Sequence, residues 1–150
     1  MSGFSTLTFV IEPLDERCPA LSIVPVVNDI RLTQLIEDFE RGHNYQPTGG
    51  YAGLVPDHFN FGPLEKYFLA ETPSVPIEKI GHYLLGCSCG EVGCWPLTAR
   101  IVVDAQQVIW EGFSQPFRPS RDYSSFGPFV FSLEQYRRTV HGLLSAFPAK

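Results

Sequence analysis

No block of lysines or arginines occurs in this 150-residue chain: 11 basic residues are scattered among 16 acidic ones, for a formal charge of −5. Nucleic-acid binding therefore lacks the electrostatic footprint it needs. No stretch approaches the ~20 consecutive apolar residues of a membrane-spanning helix. The opening segment MSGFSTLTFVIEP has no basic leader and alternates like a strand, so no signal peptide is expected. Four cysteines are too few for a disulfide framework, and the cytoplasmic location expected here would keep them as thiols. Thr48-Gly49-Gly50 lacks the Lys-Ser/Thr of a phosphate-binding loop, and neither GxSxG nor HExxH is present. Repeats and low-complexity segments are missing too.

What remains is a hydrophobic share of 44%, ordinary for a globular protein, in a chain long enough to bury its own core. A single globular domain over residues 1–150 is expected. Residues 6–12 and 21–27 read as a strand hairpin across a polar, proline-flanked connection. Asn28 serves as an N-cap for DIRLTQLIEDFERG, where Leu32, Leu35, Ile36 and Phe39 recur at helical spacing and Gly42 is the stop. From 43 to 75 no period is sustained, and the many aromatics favour a segment draped over the core, with a short helical turn over 64–69. After a further irregular run over 114–127, Phe129-Val130-Phe131 reads as a short strand. Ser132 with Gln135 then forms a capping box for a last helix whose stripe is Leu133, Tyr136, Val140, Leu143, Leu144 and Phe147.

The densest pattern lies over 81–113, which holds three of the four cysteines and both tryptophans. Strands over 80–89 and 94–104 flank the hairpin loop Gly90-Glu91-Val92-Gly93, and a third strand follows at 107–113. Loops of about four residues set Cys89 opposite Cys94, Leu84 opposite Ala99, Ile101 opposite Trp110 and Arg100 opposite Glu111. Leu84, Trp95, Leu97, Ala99, Ile101, Val103, Val108 and Trp110 then share the core face. Tyr83, Leu85, Cys87, Cys89, Cys94, Thr98, Arg100 and Glu111 share the other.

Two constellations could carry chemistry. Cys87, Cys89 and Cys94 could bind zinc as thiolates with a fourth ligand from Cys18, His43 or His58. On a regular strand the Cα atoms of Cys87 and Cys89 lie about 6.6 Å apart, so one ion would require the strand to bend. His82 has the wrong parity and stands roughly 16 Å along the strand. Packing of small thiols beside glycines is favoured over zinc, and zinc over a Cys89–Cys94 disulfide or redox pair. The second constellation is Arg118, Arg121 and Tyr123 on a proline-bounded loop, a possible ligand or partner surface able to grip a carboxylate or phosphate. Pairing of Arg121 with a nearby acid, leaving Arg118 on the surface, is the stronger of its two readings. His141 is expected to be partly buried filler on the last helix. No catalytic residue is assigned.

CSCGEVGCWPL followed by VIWEGFSQPFR resembles a group of small bacterial proteins of unknown function, which carry a CxCGxxGC turn, a V-x-W strand and a Q-P-x-R loop. The resemblance implies a shared fold and no chemistry. The expected architecture is α+β, an antiparallel sheet of hairpins with two amphipathic helices packed on it. The expected function is a non-catalytic binding or interaction domain, with an unknown protein or small anionic ligand as partner, no nucleic acid and no membrane. The alternative is a zinc- or thiol-dependent protein centred on Cys87, Cys89 and Cys94. Protein purified without chelator or affinity tag should carry no stoichiometric zinc by elemental analysis. One zinc per chain whose removal unfolds the protein, a structural zinc contributing on the order of 10 kcal/mol, would instead establish the metal alternative.

Overall fold

The computed structural model describes residues 4–14, 20–45, 48–56, 63–71, 82–87, 96–115, 118 and 120–146. The fold is α+β and antiparallel, as the strand and helix periods predict, with the strands divided between two sheets. The first holds β1 (Leu7–Pro13), β2 (Leu21–Val27) and β3 (Ile30–Arg31). The second, in the order β4-β5-β6-β7-β8, holds β4 (Tyr51–Ala52), β5 (His82–Cys87), β6 (Leu97–Val103), β7 (Gln107–Ser114) and β8 (Phe129–Ser132). The helices are α1 (Leu32–Gly42), α2 (Leu64–Phe68), α3 (Leu133–His141) and α4 (Leu143–Ala146).

β1 and β2 form the expected hairpin, Leu7 opposite Val27 and Pro13 opposite Leu21. Asn28 is not a helix cap. Asn28 and Asp29 take φ of +51° and +69° and turn β2 into β3, a two-residue loop of the kind that Asn and Asp tolerate. Helix α1 begins only at Leu32, and its N-terminus has no side-chain cap. Asn28 Oδ1 instead accepts the Thr6 N–H at 2.8 Å.

The two sheets meet at two bridges. Ser5 runs parallel to Phe131, with its N–H donating to the Val130 carbonyl at 2.7 Å. Ile23 faces Leu54 antiparallel, exchanging both backbone hydrogen bonds at 2.7 and 3.0 Å. This explains a proline inside a paired strand. The outer edge of β2 is shared between β3 at Val26–Val27 and Leu54 at Ile23, and Pro25 falls in the gap, where no N–H is required.

The β6–β7 register is the expected one, Arg100 opposite Glu111 and Ile101 opposite Trp110. The exposed Arg100–Glu111 pair, 3.8 Å apart, contributes little to stability. Between β5 and β6 the register differs. Ala99 faces His82 rather than Leu84, and a bulge between Tyr83 and Leu85 shifts the pairing again before Leu85 meets Leu97. A bulge adds a residue that an alternating pattern cannot reveal. Cys18, Cys89, Cys94 and Trp95 lie outside the described residues, so the expected Cys89–Cys94 pairing does too. Leu84, Leu97, Ala99, Ile101, Val108 and Trp110 are buried as expected, whereas Val103 is 36% exposed.

The buried side chains of both sheets and of the helices form one cluster. Its aromatic polar groups bond to one another and to backbone: Trp110 Nε1 donates to the Tyr136 hydroxyl at 3.1 Å, which donates in turn to the Phe68 carbonyl. Ser132 caps α3 by accepting the Gln135 N–H at 3.1 Å. The reciprocal half of a capping box is absent, because the Gln135 side chain reaches the backbone of Leu7 instead. The expected long last helix is interrupted at Gly142. His141 is exposed rather than partly buried, its Nδ1 2.8 Å from a Glu65 carboxylate oxygen.

A Cβ on Gly53 would stand 2.5 Å from the Ile23 carbonyl oxygen and 2.9 Å from its nitrogen. Both are backbone atoms that cannot swing away, so Gly53→Ala should destabilise the protein by roughly 1–3 kcal/mol, the usual cost of overpacking. Gly42→Ala, with no atom within 4 Å of the added methyl, should be neutral or stabilising in the same denaturant titration.

Candidate functional site

Helix α1 presents Leu32, Ile36 and Glu40 at intervals of four, on one stripe and all fully buried. Placing a glutamate in that apolar row commits the fold to partners for it, since an isolated buried carboxylate is prohibitively costly. The partners come from two separate segments, 49–51 and 121–123. Glu40 Oε1 accepts the Gly49 N–H at 2.8 Å. Oε2 accepts the Tyr51 hydroxyl at 2.7 Å, the Tyr123 hydroxyl at 2.6 Å and Arg121 Nη1 at 3.2 Å. The Arg121 side chain is 6% exposed and the Glu40 side chain 0%.

Burial, with the carboxylate adding to it, pushes the Tyr123 phenol up to about 12, and burial raises that of Tyr51 too. Both therefore stay protonated donors at neutral pH. An aromatic layer covers this network. Phe39 stacks on Tyr123 and on His43, with centroids 5.6 and 4.2 Å apart, and Arg121 sits 5.2 Å over the Tyr45 ring. The Tyr45 hydroxyl accepts the Asp122 N–H at 2.8 Å, so the loop carrying Arg121 is held at two levels.

Of the three loop residues singled out in the sequence, the structure brings Arg121 and Tyr123 together and turns both inward onto Glu40. Arg118 is exposed, with its N–H donating to the Gln115 carbonyl at 2.8 Å. Pairing of Arg121 with an acid is thus what the fold contains, and the acid comes from 81 positions away. The periodicity of α1 held the missed signal: position 40 continues the row of 32 and 36.

Of the cysteine constellation, Cys87 is placed by its backbone alone, opposite Tyr51, while Cys89 and Cys94 lie outside the described residues. Among the described residues no group of three or more His, Cys, Asp or Glu is positioned to hold a metal ion. No helix among them is long and apolar enough to cross a membrane.

Further outward-facing polar side chains lie where α2 meets α3. Arg137 and Arg138 are exposed and, among the described residues, stand outside every ion pair. They line both of two open grooves. One, of about 430 Å³, runs past Glu65, Leu69, Glu71 and His141. The other, of about 550 Å³, is lined by Ala105, Gln106, Ser132, Leu133 and Glu134. Comparison with protein-family models, curated proteins and solved structures finds no match to this chain.

Among the described residues one buried titratable group has no partner. His82 is 7% exposed, packs edge-on against the Tyr67 ring at 5.0 Å, and neither ring nitrogen has a hydrogen-bond partner among them. Burial lowers its pKa, so it is neutral in the folded state, while the unfolded chain takes up a proton near pH 6.5. Stability should accordingly be retained above pH 6.5 and fall as the pH drops below it. Denaturation midpoints at pH 8 and pH 5 check this: His82→Phe should lose less stability on acidification than the parent. Equal losses in the two proteins would show that His82 is not the responsible group.

Proposed function

We propose that this chain is a non-catalytic binding or interaction domain that meets a partner protein over its α2–α3 face. The observation carrying this reading is the contrast between its arginines. Arg121 is consumed by Glu40 inside the fold, whereas Arg137 and Arg138, which among the described residues form no ion pair, are exposed and line two grooves. Arginine is the charged residue most favoured at protein interfaces, where its flat guanidinium can pair with carboxylates and stack. Glu65, Glu71 and Glu134 flank the ridge. Such interleaved charge favours a protein surface of complementary pattern over a small anion, which the flanking carboxylates would repel. Few cysteines in the chain support a cytoplasmic location.

Quantitative affinity capture with the parent and with the double variant Arg137→Glu/Arg138→Glu tests the proposal. The parent should retain a discrete, stoichiometric protein whose binding weakens with salt, and the folded double variant should lose it. Retention of the same protein by both would remove the α2–α3 face from the interaction.

A further inference from the structure

The His82 ring is held by packing alone. It opens β5, its backbone faces Ala99 on β6, and the ring meets that of Tyr67 on α2 edge-on. A neutral imidazole carries one N–H and one lone pair, and here both are withheld from water without a partner among the described residues. Such groups are costly even uncharged, and a proton would add a second orphaned donor and a full charge. Among the described residues none of the neighbours offers an anion. Burial raises the pKa of the Tyr67 phenol on α2 and of Tyr83 on β5, so both stay neutral. Glu65 of α2 is turned to His141, Lys66 is exposed, and Tyr136 of α3 donates to the Phe68 carbonyl. On β6 the Arg100 side chain is 71% exposed beside Glu111, and β4 meets β5 at its other end, where Tyr51 bonds to Glu40. The element packed on the ring is also poorly able to hold itself. Helix α2 has five residues and no side-chain N-cap, and a helix this short depends on its packing. It is fastened by the Tyr67 hydroxyl donating to the Tyr83 carbonyl at 2.9 Å, by Tyr136, and by the Phe9 ring 5.1 Å from that of Phe68.

We propose that His82 is an acid-operated trigger: protonation of its imidazole displaces Tyr67 and lifts α2, with Leu69 and Glu71 behind it, off the sheet. Opening brings the ring to water, where it titrates near pH 6.5. In the closed fold burial alone lowers its pKa, so the open state binds the proton first. The opening equilibrium therefore grows as the pH falls below 6.5, by up to about tenfold per unit, until the buried ring takes up a proton too. The backbone of β5 stays paired to β6, and α2, a local unit of low stability, is what yields. His141 works in the opposite sense. A histidine gains charge on acidification, so acid tightens its pair with Glu65. Glu65, Leu69 and Glu71 line the groove that Arg137 and Arg138 share, and lifting α2 dismantles that side of it. Acid release of a bound protein rests on the reading of the α2–α3 face as an interface, whereas the opening does not and is read on the chain alone.

Amide hydrogen exchange on the intact chain at pH 7.5 and pH 5, corrected for the intrinsic rates, tests the proposal. The Tyr67, Leu69 and Glu71 amides, which donate to the Pro63, Glu65 and Lys66 carbonyls, report on α2. In the parent their opening constants should rise by as much as about 30-fold on acidification, well beyond any rise for the amides of the β6–β7 pair. His82→Phe should abolish that excess and His141→Gln should keep it, with far-UV circular dichroism confirming that both variants fold. His82→Leu serves in place of a phenylalanine variant that does not fold. Opening of α2 that is the same at both pH values in the parent would overturn the proposal. So would an equal rise in α2 and in β6–β7, which would be global unfolding, an excess that survives in a folded His82 variant, or an excess that is lost in His141→Gln.

Discussion

A carboxylate placed in the apolar row of α1 is the constraint on which this side of the molecule depends. Glu40 cannot be left alone in the core, and it draws in Gly49, Tyr51, Tyr123 and Arg121, from two stretches that carry no sustained hydrophobic period of their own. Gly49 can donate because its φ of +70° turns its N–H toward the helix, a conformation that glycine adopts without strain. A buried ion pair with this many satisfied bonds need not add net stability relative to an apolar replacement, but removing one partner is costly. The network thereby fixes where β4 begins and how the segment around Arg121 lies.

The same network decides what the loop with two arginines can do. As a sequence, Arg118-Pro-Ser-Arg121-Asp-Tyr123 has the composition of an anion grip. In the fold, the guanidinium of Arg121 faces a carboxylate that belongs to the chain itself. An exposed cationic pair instead lies on α3, Arg137 and Arg138, which the sequence reading did not single out. The distinction lies in pairing. Arg31, Arg41, Arg100 and Arg121 each form an ion pair, and among the described residues Arg137 and Arg138 form none.

Elements with a sustained period were legible from the sequence. The β1–β2 hairpin, the body of α1, the β6–β7 register and the start of α3 all follow from spacing alone, because each repeats its pattern over several residues. Short elements were not. β3 and β4 are two residues each, and Leu54 pairs through a single bridge, lengths at which alternation has no meaning. Asn28-Asp29 can cap a helix or turn a hairpin, and the outcome depended on whether Ile30 could pair with Val27. Ala99 faces His82, two positions from the expected Leu84, and the bulge in β5, which has no local signature, accounts for one of those two positions. Of the candidate site, the residue types in the arginine loop were legible and their partner was not. That partner is remote in sequence, and charged residues on an amphipathic helix are ordinarily assigned to the solvent side.

The central claim, that Arg121 is spent on Glu40 rather than held ready for a ligand, is tested most directly by a double-mutant cycle. Unfolding free energies of the parent, Glu40→Gln, Arg121→Met and the double variant give the coupling between the two side chains. The buried contact predicts a coupling of about 1–3 kcal/mol, within the range for residues that share one hydrogen-bonded network. Additive effects, agreeing within about 0.5 kcal/mol, would contradict the account and return Arg121 to the surface as a free cation.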